Sequence, residues 1–380
     1  MRRASRNAVV VASFVPSGPA PAGPEVCNLR PVTDAPPGVD LERLRPWFAA
    51  NVTGSTGSPL TATLISGGRS NLTYAIADDA NRWVLRRPPL GHVLPTAHDM
   101  GREYKVLTAL APTDVPVPAT LAFCEDVAVN DAPFYVMELV EGKILRTGAE
   151  IATLTTDEAR RCSEELIDVL AAIHAVDYEA VGLGDFGHPD GYVERQVRRW
   201  GEQWERSKTR ELPAIDELAQ RLRAALPVSP SPTIVHGDYR LDNTMLAPDD
   251  PGRIVAVLDW EMATLGDPLA DLGLYLLYYV RDDAQTGNVG ATISTDAGFL
   301  SRDDVVDRYA KESGRDVSQL DFYEALAAYK LAIILEGIHA RFLMGKTVGE
   351  GFEHIGSLVE IMVQGALDQC SRSSITALRG

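Results

Sequence analysis

Cysteine is scarce in this chain of 380 residues, with four in all, Cys27, Cys124, Cys162 and Cys370. They are widely scattered and form no CxxC pair, which argues against a disulfide framework or a zinc site and suits a reducing cytoplasm. Long apolar runs are missing too: no stretch approaches the roughly 20 residues needed to span a bilayer. The start, MRRASRNAVVVASFV, sets a basic end before a short apolar run and so superficially resembles a signal peptide, but Ser13 breaks the run and prolines follow it. Basic residues are in deficit, 36 Lys plus Arg against 53 Asp plus Glu. The resulting net charge of -17 gives no general electrostatic basis for binding nucleic acid or an anionic membrane. A cationic ligand would suit it, although an acidic surface mostly serves solubility. Repeats and low-complexity tracts are absent beyond residues 1–39, which read as a flexible Pro/Gly-rich tail.

What is present is the composition of a folded globular chain, 45% hydrophobic and 23% charged, long enough for two lobes or domains. After a short helix over 40–51, three alternating runs predict an antiparallel meander: TATLIS, NLTYAIA and RWVLRR. A helix over 98–110 and strands over 120–124 and 133–139 follow. Beyond Gly142 the pattern is mainly helical, over 157–176, 191–207, 212–226, 269–280, 302–313, 320–344 and 352–368. Two short apolar runs, 232–235 and 253–258, flank the polar block His236-Gly237-Asp238-Tyr239-Arg240-Leu241-Asp242-Asn243. The expected architecture is α+β, with a β-rich lobe over 40–142 ending in a hinge and a larger helical lobe over 143–380.

The polar block carries the chemistry. Phosphoryl transfer needs a carboxylate to orient the attacking hydroxyl and oxygen ligands to hold magnesium on the phosphates. His236, Asp238 and Asn243 stand at the spacing of a protein-kinase catalytic loop, H-R-D-x-x-x-x-N. Asp259, at the end of the apolar run Ile254–Leu258, supplies a second metal-binding carboxylate. The stretch HGDYRLDNTML followed by VAVLDWEMATLGDPLADLG resembles the signature of the aminoglycoside-phosphotransferase and choline-kinase superfamily. That resemblance implies a protein-kinase-like two-lobe fold, with Asp238 as the catalytic residue, Asn243 and Asp259 as metal ligands, and ATP and Mg²⁺ as cofactors. Arg240 steadies the γ-phosphate or, alternatively, pairs with Asp242 or Glu261. His236 organises the loop, and Asp267 and Asp271 are scaffold, the second anchoring that loop.

On the nucleotide side, the turn Ile65–Tyr74 contains Gly67, Gly68, Ser70 and Asn71. Such glycine pairs let backbone amides approach phosphates but also close ordinary hairpins. On the third strand Val84 and Arg86 share one face, while Trp83, Leu85 and Arg87 share the other. Val84 would lie on adenine and Arg86, standing where kinases carry lysine, on the phosphates; Arg87 is the competing candidate. Glu103 would pair with Arg86. The stretch Glu138–Gly142 resembles the kinase hinge, giving adenine the Glu138 carbonyl and the Val140 amide. His174 reads as a buried, hydrogen-bonded histidine, Trp200 and Trp204 as packing residues, and Glu336, His339 and Arg341 as candidates to face the acceptor. The expected activity is ATP- and Mg²⁺-dependent transfer to a small hydroxylated acceptor, with no nucleic-acid or membrane partner; the alternative is a nucleotide-binding pseudokinase serving as an interaction module. Within the superfamily the chain looks closest to the kinase-like domains attached to some acyl-CoA dehydrogenases, where hydroxyacyl acceptors are conceivable.

Overall fold

Three short runs rich in β-branched and aromatic residues yield β1 (Thr61–Ser66), β2 (Leu72–Ala77) and β3 (Arg82–Arg87). The computed structural model describes residues 35–66, 71–91, 99–279, 293, 295–346 and 352–380; most of the expected tail, and Gly67, Gly68 and Ser70, lie outside these. With β4 (Thr120–Cys124) and β5 (Phe134–Glu138), the strands form one antiparallel sheet in the order β1-β2-β3-β5-β4. Val84 stands opposite Ala75 on one side and Met137 on the other, and Arg86 opposite Thr73 and Tyr135.

The pleat sorts the sheet into two faces. Trp83, Leu85, Tyr74, Ile76, Phe134 and Val136 pack with Leu44 and Phe48 of α1 (Leu41–Asn51). Val84, Tyr135 and Met137 join the larger core with Met100, Val106 and Leu107 of α2 (Met100–Leu110). Asp99 caps α2, its side chain accepting the Arg102 amide.

The remaining chain is mostly helical: two short helices, α3 (Val127–Asn130) and α4 (Gly148–Ile151), then α5 (Thr156–Ala175), α6 (Tyr192–Ser207), α7 (Pro213–Ala224), α8 (Leu269–Tyr278), α9 (Arg302–Ser313), α10 (Leu320–Leu343) and α11 (Ile355–Arg372). Capping boxes at Thr155/Glu158 and Ser301/Asp304 open α5 and α9. Helix α10 is apolar almost all round and sits at the centre of this lobe, against α6, α7, α8 and α11. Gly273 allows α8 and α10 to touch: a Cβ there would lie 2.6 Å from the Tyr323 carbonyl carbon. The apolar runs around the polar block become β6 (Thr233–Val235) and β8 (Ile254–Val257). They pair with β9 (Thr264–Gly266) and β7 (Thr244–Leu246), which are too short to show a period in the sequence. Among the described residues no helix is long and apolar enough to cross a membrane.

Candidate active site

The end of β6 delivers His236, Gly237 and Asp238 into a turn whose backbone is held by side chains from several elements. Asp271, buried in α8, accepts the His236 amide through Oδ2 at 2.6 Å and the Gly237 amide through Oδ1 at 2.8 Å. Burial alone would raise the Asp271 pKa; hydrogen bonding and charge from His174, with the Gly237 amide, hold it below the usual carboxylate value. The expected anchor is thus in place. His236 Nε2 lies 2.9 Å from the Leu258 carbonyl and Nδ1 accepts the Asp238 amide at 3.2 Å, while its ring packs on Trp260. It organises the loop, as its position suggests. Gly237 has φ 84, and a Cβ there would meet Met262 at 2.9 Å, so both conformation and space require glycine.

A 3-10 turn, Leu241–Asn243, returns Asn243 to Asp238. Its Nδ2 donates to the Asp238 carbonyl at 2.8 Å and to the carboxylate Oδ2 at 2.9 Å. Arg240 Nε lies 3.1 Å from Asp242 Oδ1 and 3.5 Å from Asp238 Oδ2, with its guanidinium 5.1 Å from the Tyr278 ring centroid. Of the two roles open to Arg240 on sequence, this geometry contains the pairing with Asp242.

Asp259 follows β8 with φ 65, a left-handed conformation shared among the described non-glycine residues only with Asp131. The Leu258 amide donates to the Asn243 carbonyl at 2.8 Å, so the two expected metal ligands sit on adjoining backbone. Asp259 Oδ1 accepts from Arg86 Nη2 at 2.6 Å.

Arg86 also donates from Nε to Glu103 Oε2 at 3.0 Å, the expected strand-to-helix pair. Asn71 points to the same cluster, Nδ2 lying 3.3 Å from Glu103 and 3.2 Å from Glu261. Its side chain therefore braces carboxylates. Burial would lower the Arg86 pKa, but Glu103, Asp259 and Glu261 together raise it. Glu103, 2% exposed, is pushed up to about 7, first by burial and then by the neighbouring acids Asp259 and Glu261, with Arg86 opposing. Arg87 lies on the opposite face of β3, donating to the Gly38 carbonyl at 2.6 Å and the Asn130 carbonyl at 3.1 Å, which removes it as the rival of Arg86. Val84 is buried on the Arg86 face. At the end of β5, the Glu138 side chain accepts the Ala119 amide at 3.0 Å. Val140 follows β5 and makes no backbone hydrogen bond with the described residues.

Magnesium fits this donor set. Asn243 commits its nitrogen to Asp238 and Asp259 commits one oxygen to Arg86, so Asn243 Oδ1 and Asp259 Oδ2 accept no hydrogen bond from described residues. Two oxygens completed by phosphates and water suit a hard divalent ion. No group of three or more His, Cys, Asp or Glu residues among the described ones offers a rival metal site.

Away from this cluster, His174 is buried, with Nδ1 2.7 Å from the Tyr309 hydroxyl and Nε2 3.4 Å from Asp271, and burial lowers its pKa. Asp267 accepts the Leu269 amide and the Tyr323 hydroxyl, a structural role. Trp204 is packed and Trp200 partly so. Glu336 does not face an acceptor: it is fully buried, accepting the Thr209 amide and hydroxyl at 2.8 and 2.6 Å, because its side of α10 meets the chain after α6. Lys330, which belongs to no motif in the sequence, reaches the Gly237 carbonyl at 3.0 Å; its one signal is a single lysine in an otherwise apolar helical run.

The family profile described as "phosphotransferase enzyme family" matches residues 61–309. Acyl-CoA dehydrogenase family member 11 of Rattus norvegicus is 34% identical over 323 residues, 84% of this chain and 41% of that protein. Family member 10 of Mus musculus is 34% identical over 359 residues, 93% of this chain and 33% of that protein. The chain thus spans well under half the length of these relatives. Among solved structures, a Ralstonia eutropha protein described as an aminoglycoside phosphotransferase superposes with TM-score 0.76 at 34% identity, covering 87% of this chain and 98% of that one. A choline kinase from Cryptosporidium parvum shares the fold at TM-score 0.62 and 13% identity, over 90% and 99%.

Proposed function

We propose that this chain, which belongs to the phosphotransferase enzyme family, transfers the γ-phosphoryl group of ATP to a hydroxyl of a small molecule with Mg²⁺ bound. The observation that carries this reading is the bonded cluster of Asp238, Asn243, Asp259 and Arg86, Asn243 holding Asp238, Arg86 holding Asp259, and Asn243 lying beside Asp259 through the Leu258 amide. Asp238 orients the acceptor hydroxyl and takes its proton as the hydroxyl oxygen bonds to the γ-phosphorus and the bond to the β-phosphate oxygen breaks, releasing ADP. Asn243 and Asp259 hold magnesium, which neutralises phosphate charge. Arg86 and the turn carrying Gly67, Gly68, Ser70 and Asn71 hold the phosphates. Arg240 exchanges Asp242 for the γ-phosphate. Adenine lies on Val84, with the Glu138 carbonyl and Val140 amide at its edge, and Glu103 orients Arg86.

For the acceptor, we propose a hydroxyacyl compound, because the relatives named above join a stretch like this chain to an acyl-CoA dehydrogenase. The compartment we propose is the cytoplasm, in keeping with the three described cysteines, all buried and free. One observation favours a second reading, a nucleotide-binding module without turnover: arginine stands in the lysine position and is already held by Asp259. Measuring ADP formation with aminoglycosides, choline, hydroxy acids and hydroxyacyl thioesters separates the two. Acceptor-dependent ADP that disappears in Asp238→Ala supports the kinase; tight magnesium-ATP binding with no transfer to any acceptor supports the module.

A further inference from the structure

Five backbone groups around the proposed catalytic carboxylate are engaged by side chains. Asp271 takes the amides of His236 and Gly237, His236 takes the amide of Asp238, and Asn243 takes the carbonyl of Asp238. The fifth, the Gly237 carbonyl, accepts from Lys330 Nζ at 3.0 Å, the one contribution from outside the motif region and 93 residues further along the chain. We propose that Lys330 is a positioning residue for phosphoryl transfer, fixing the Gly237–Asp238 peptide from α10 and thereby the direction of the Asp238 carboxylate. This rests on the phosphotransfer reading of Asp238.

The peptide needs such a hold. Gly237 sits at φ 84, and a glycine linkage rotates at little steric cost. Lys330 holds the oxygen of that peptide and the His236 ring nitrogen holds its N–H. Rotation of the peptide plane would break both bonds and swing Asp238 away from Asn243. A displacement of that kind is enough to cost orders of magnitude in rate with binding intact.

The lysine has no competing explanation as a salt bridge. Among the described residues its amine makes no other hydrogen bond and has no carboxylate within ion-pair distance; the Trp200 ring centroid lies 5.9 Å from Nζ. Burial pushes its pKa below the usual lysine value, and the more distant charges of Asp238 and Asp271 pull it back. A partly buried ammonium without an ion pair gains little for folding. Its amine is instead spent on the turn, at the Gly237 carbonyl.

The test uses the full chain as wild type, Asp238→Ala, Lys330→Met and Lys330→Arg. It reads ADP release with the best acceptor from the screen above or, lacking one, with water as acceptor, together with KM for ATP and thermal midpoint. Lys330→Met should lose about 10- to 100-fold in kcat, with KM for ATP within about twofold and an unchanged or raised midpoint. Lys330→Arg, which keeps a charged donor, should recover most of the loss. Wild-type kcat in Lys330→Met, a rate loss matched by a fall in midpoint, or equal impairment of the Arg and Met variants would overturn the proposal. Failure of the phosphotransfer reading has a separate signature: Asp238→Ala turning over at the wild-type rate, whatever the Lys330 variants do. A wild type with no turnover on any acceptor or on water overturns both.

Discussion

Arg86 Nη2 lies 2.6 Å from Asp259 Oδ1, an ion pair that joins the β-sheet lobe to the end of β8 in the helical lobe. The same guanidinium holds Glu103 through Nε at 3.0 Å. One planar fork thus spans two carboxylates, Glu103 on α2 and Asp259 after β8, a task for which a lysine ammonium, a single point of charge, is poorly shaped. In the proposed cycle the Asp259 half of this bridge is exchanged for phosphate when magnesium-ATP enters.

Arg86→Gln should therefore raise KM for ATP by at least about tenfold, the scale of one lost charge-assisted phosphate contact. Arg86→Lys should fall between, since it can reach either partner but not both. Initial-rate kinetics over an ATP series check this, and an Arg86→Gln variant with wild-type KM would remove Arg86 from the phosphate site.

Removing the carboxylates should split into two phenotypes. Asp238→Ala is expected to lower kcat at least about 1,000-fold while ATP affinity by calorimetry stays within about threefold, because its interaction arises in transfer and not in nucleotide binding. Asn243→Ala and Asp259→Ala should instead raise the magnesium concentration needed for half-maximal rate. If Asp259→Ala kept the wild-type magnesium dependence, the metal assignment would fail.

Glu103 gives a pH dependence of known sign. Its carboxyl is pushed from 4.5 up to about 7 by burial and by its acidic neighbours Asp259 and Glu261. The folded state then binds more protons than the unfolded one between these values, so the stabilising contribution is complete below about 4.5 and is lost as pH rises through about 7. Nucleotide-free protein should show part of its stability declining from about pH 5 to about pH 8, and Glu103→Gln, which stays neutral, should flatten that slope. Thermal midpoints across the range measure it; an identical slope in the variant would refute the assignment.

How far the site can be seen in the sequence follows from how its residues are linked. His236, Asp238 and Asn243 are near neighbours in the chain, and the hydrogen bonds from Asn243 to Asp238 run within five residues. Arg86 can be separated from Arg87 because a strand sends neighbours to opposite faces, and the structure gives Arg87 to the Gly38 and Asn130 carbonyls. Only adjacency groups Asn71 with a phosphate turn; tertiary packing directs its side chain to Glu103 and Glu261. Lys330 and Glu336 lie on α10, which is apolar nearly all round, so helical period does not say which neighbour each side meets. One faces the Gly237 turn and the other the Thr209 segment. Strands β7 and β9, three residues each, carry no periodic signal and exist through their partners.

Two glycines with positive φ separate backbone strain from crowding. A Cβ added to Gly314, at φ 65 after α9, would meet nothing within 4 Å, whereas one added to Gly237, at φ 84, would lie 2.9 Å from both the Cβ and the carbonyl oxygen of Met262. Gly314→Ala should then cost about 1 kcal/mol, the strain of a left-handed alanine alone, with activity unchanged. Gly237→Ala should lose more stability, about 2–4 kcal/mol once crowding against backbone is added, because the turn has to open. That opening also pulls the Gly237 carbonyl from Lys330 and the Gly237 amide from Asp271. The rate should therefore fall further than the folded fraction explains. Denaturant unfolding and kcat measured on the same samples test the comparison, and equal stability losses for the two variants would show that the contact with Met262 yields freely.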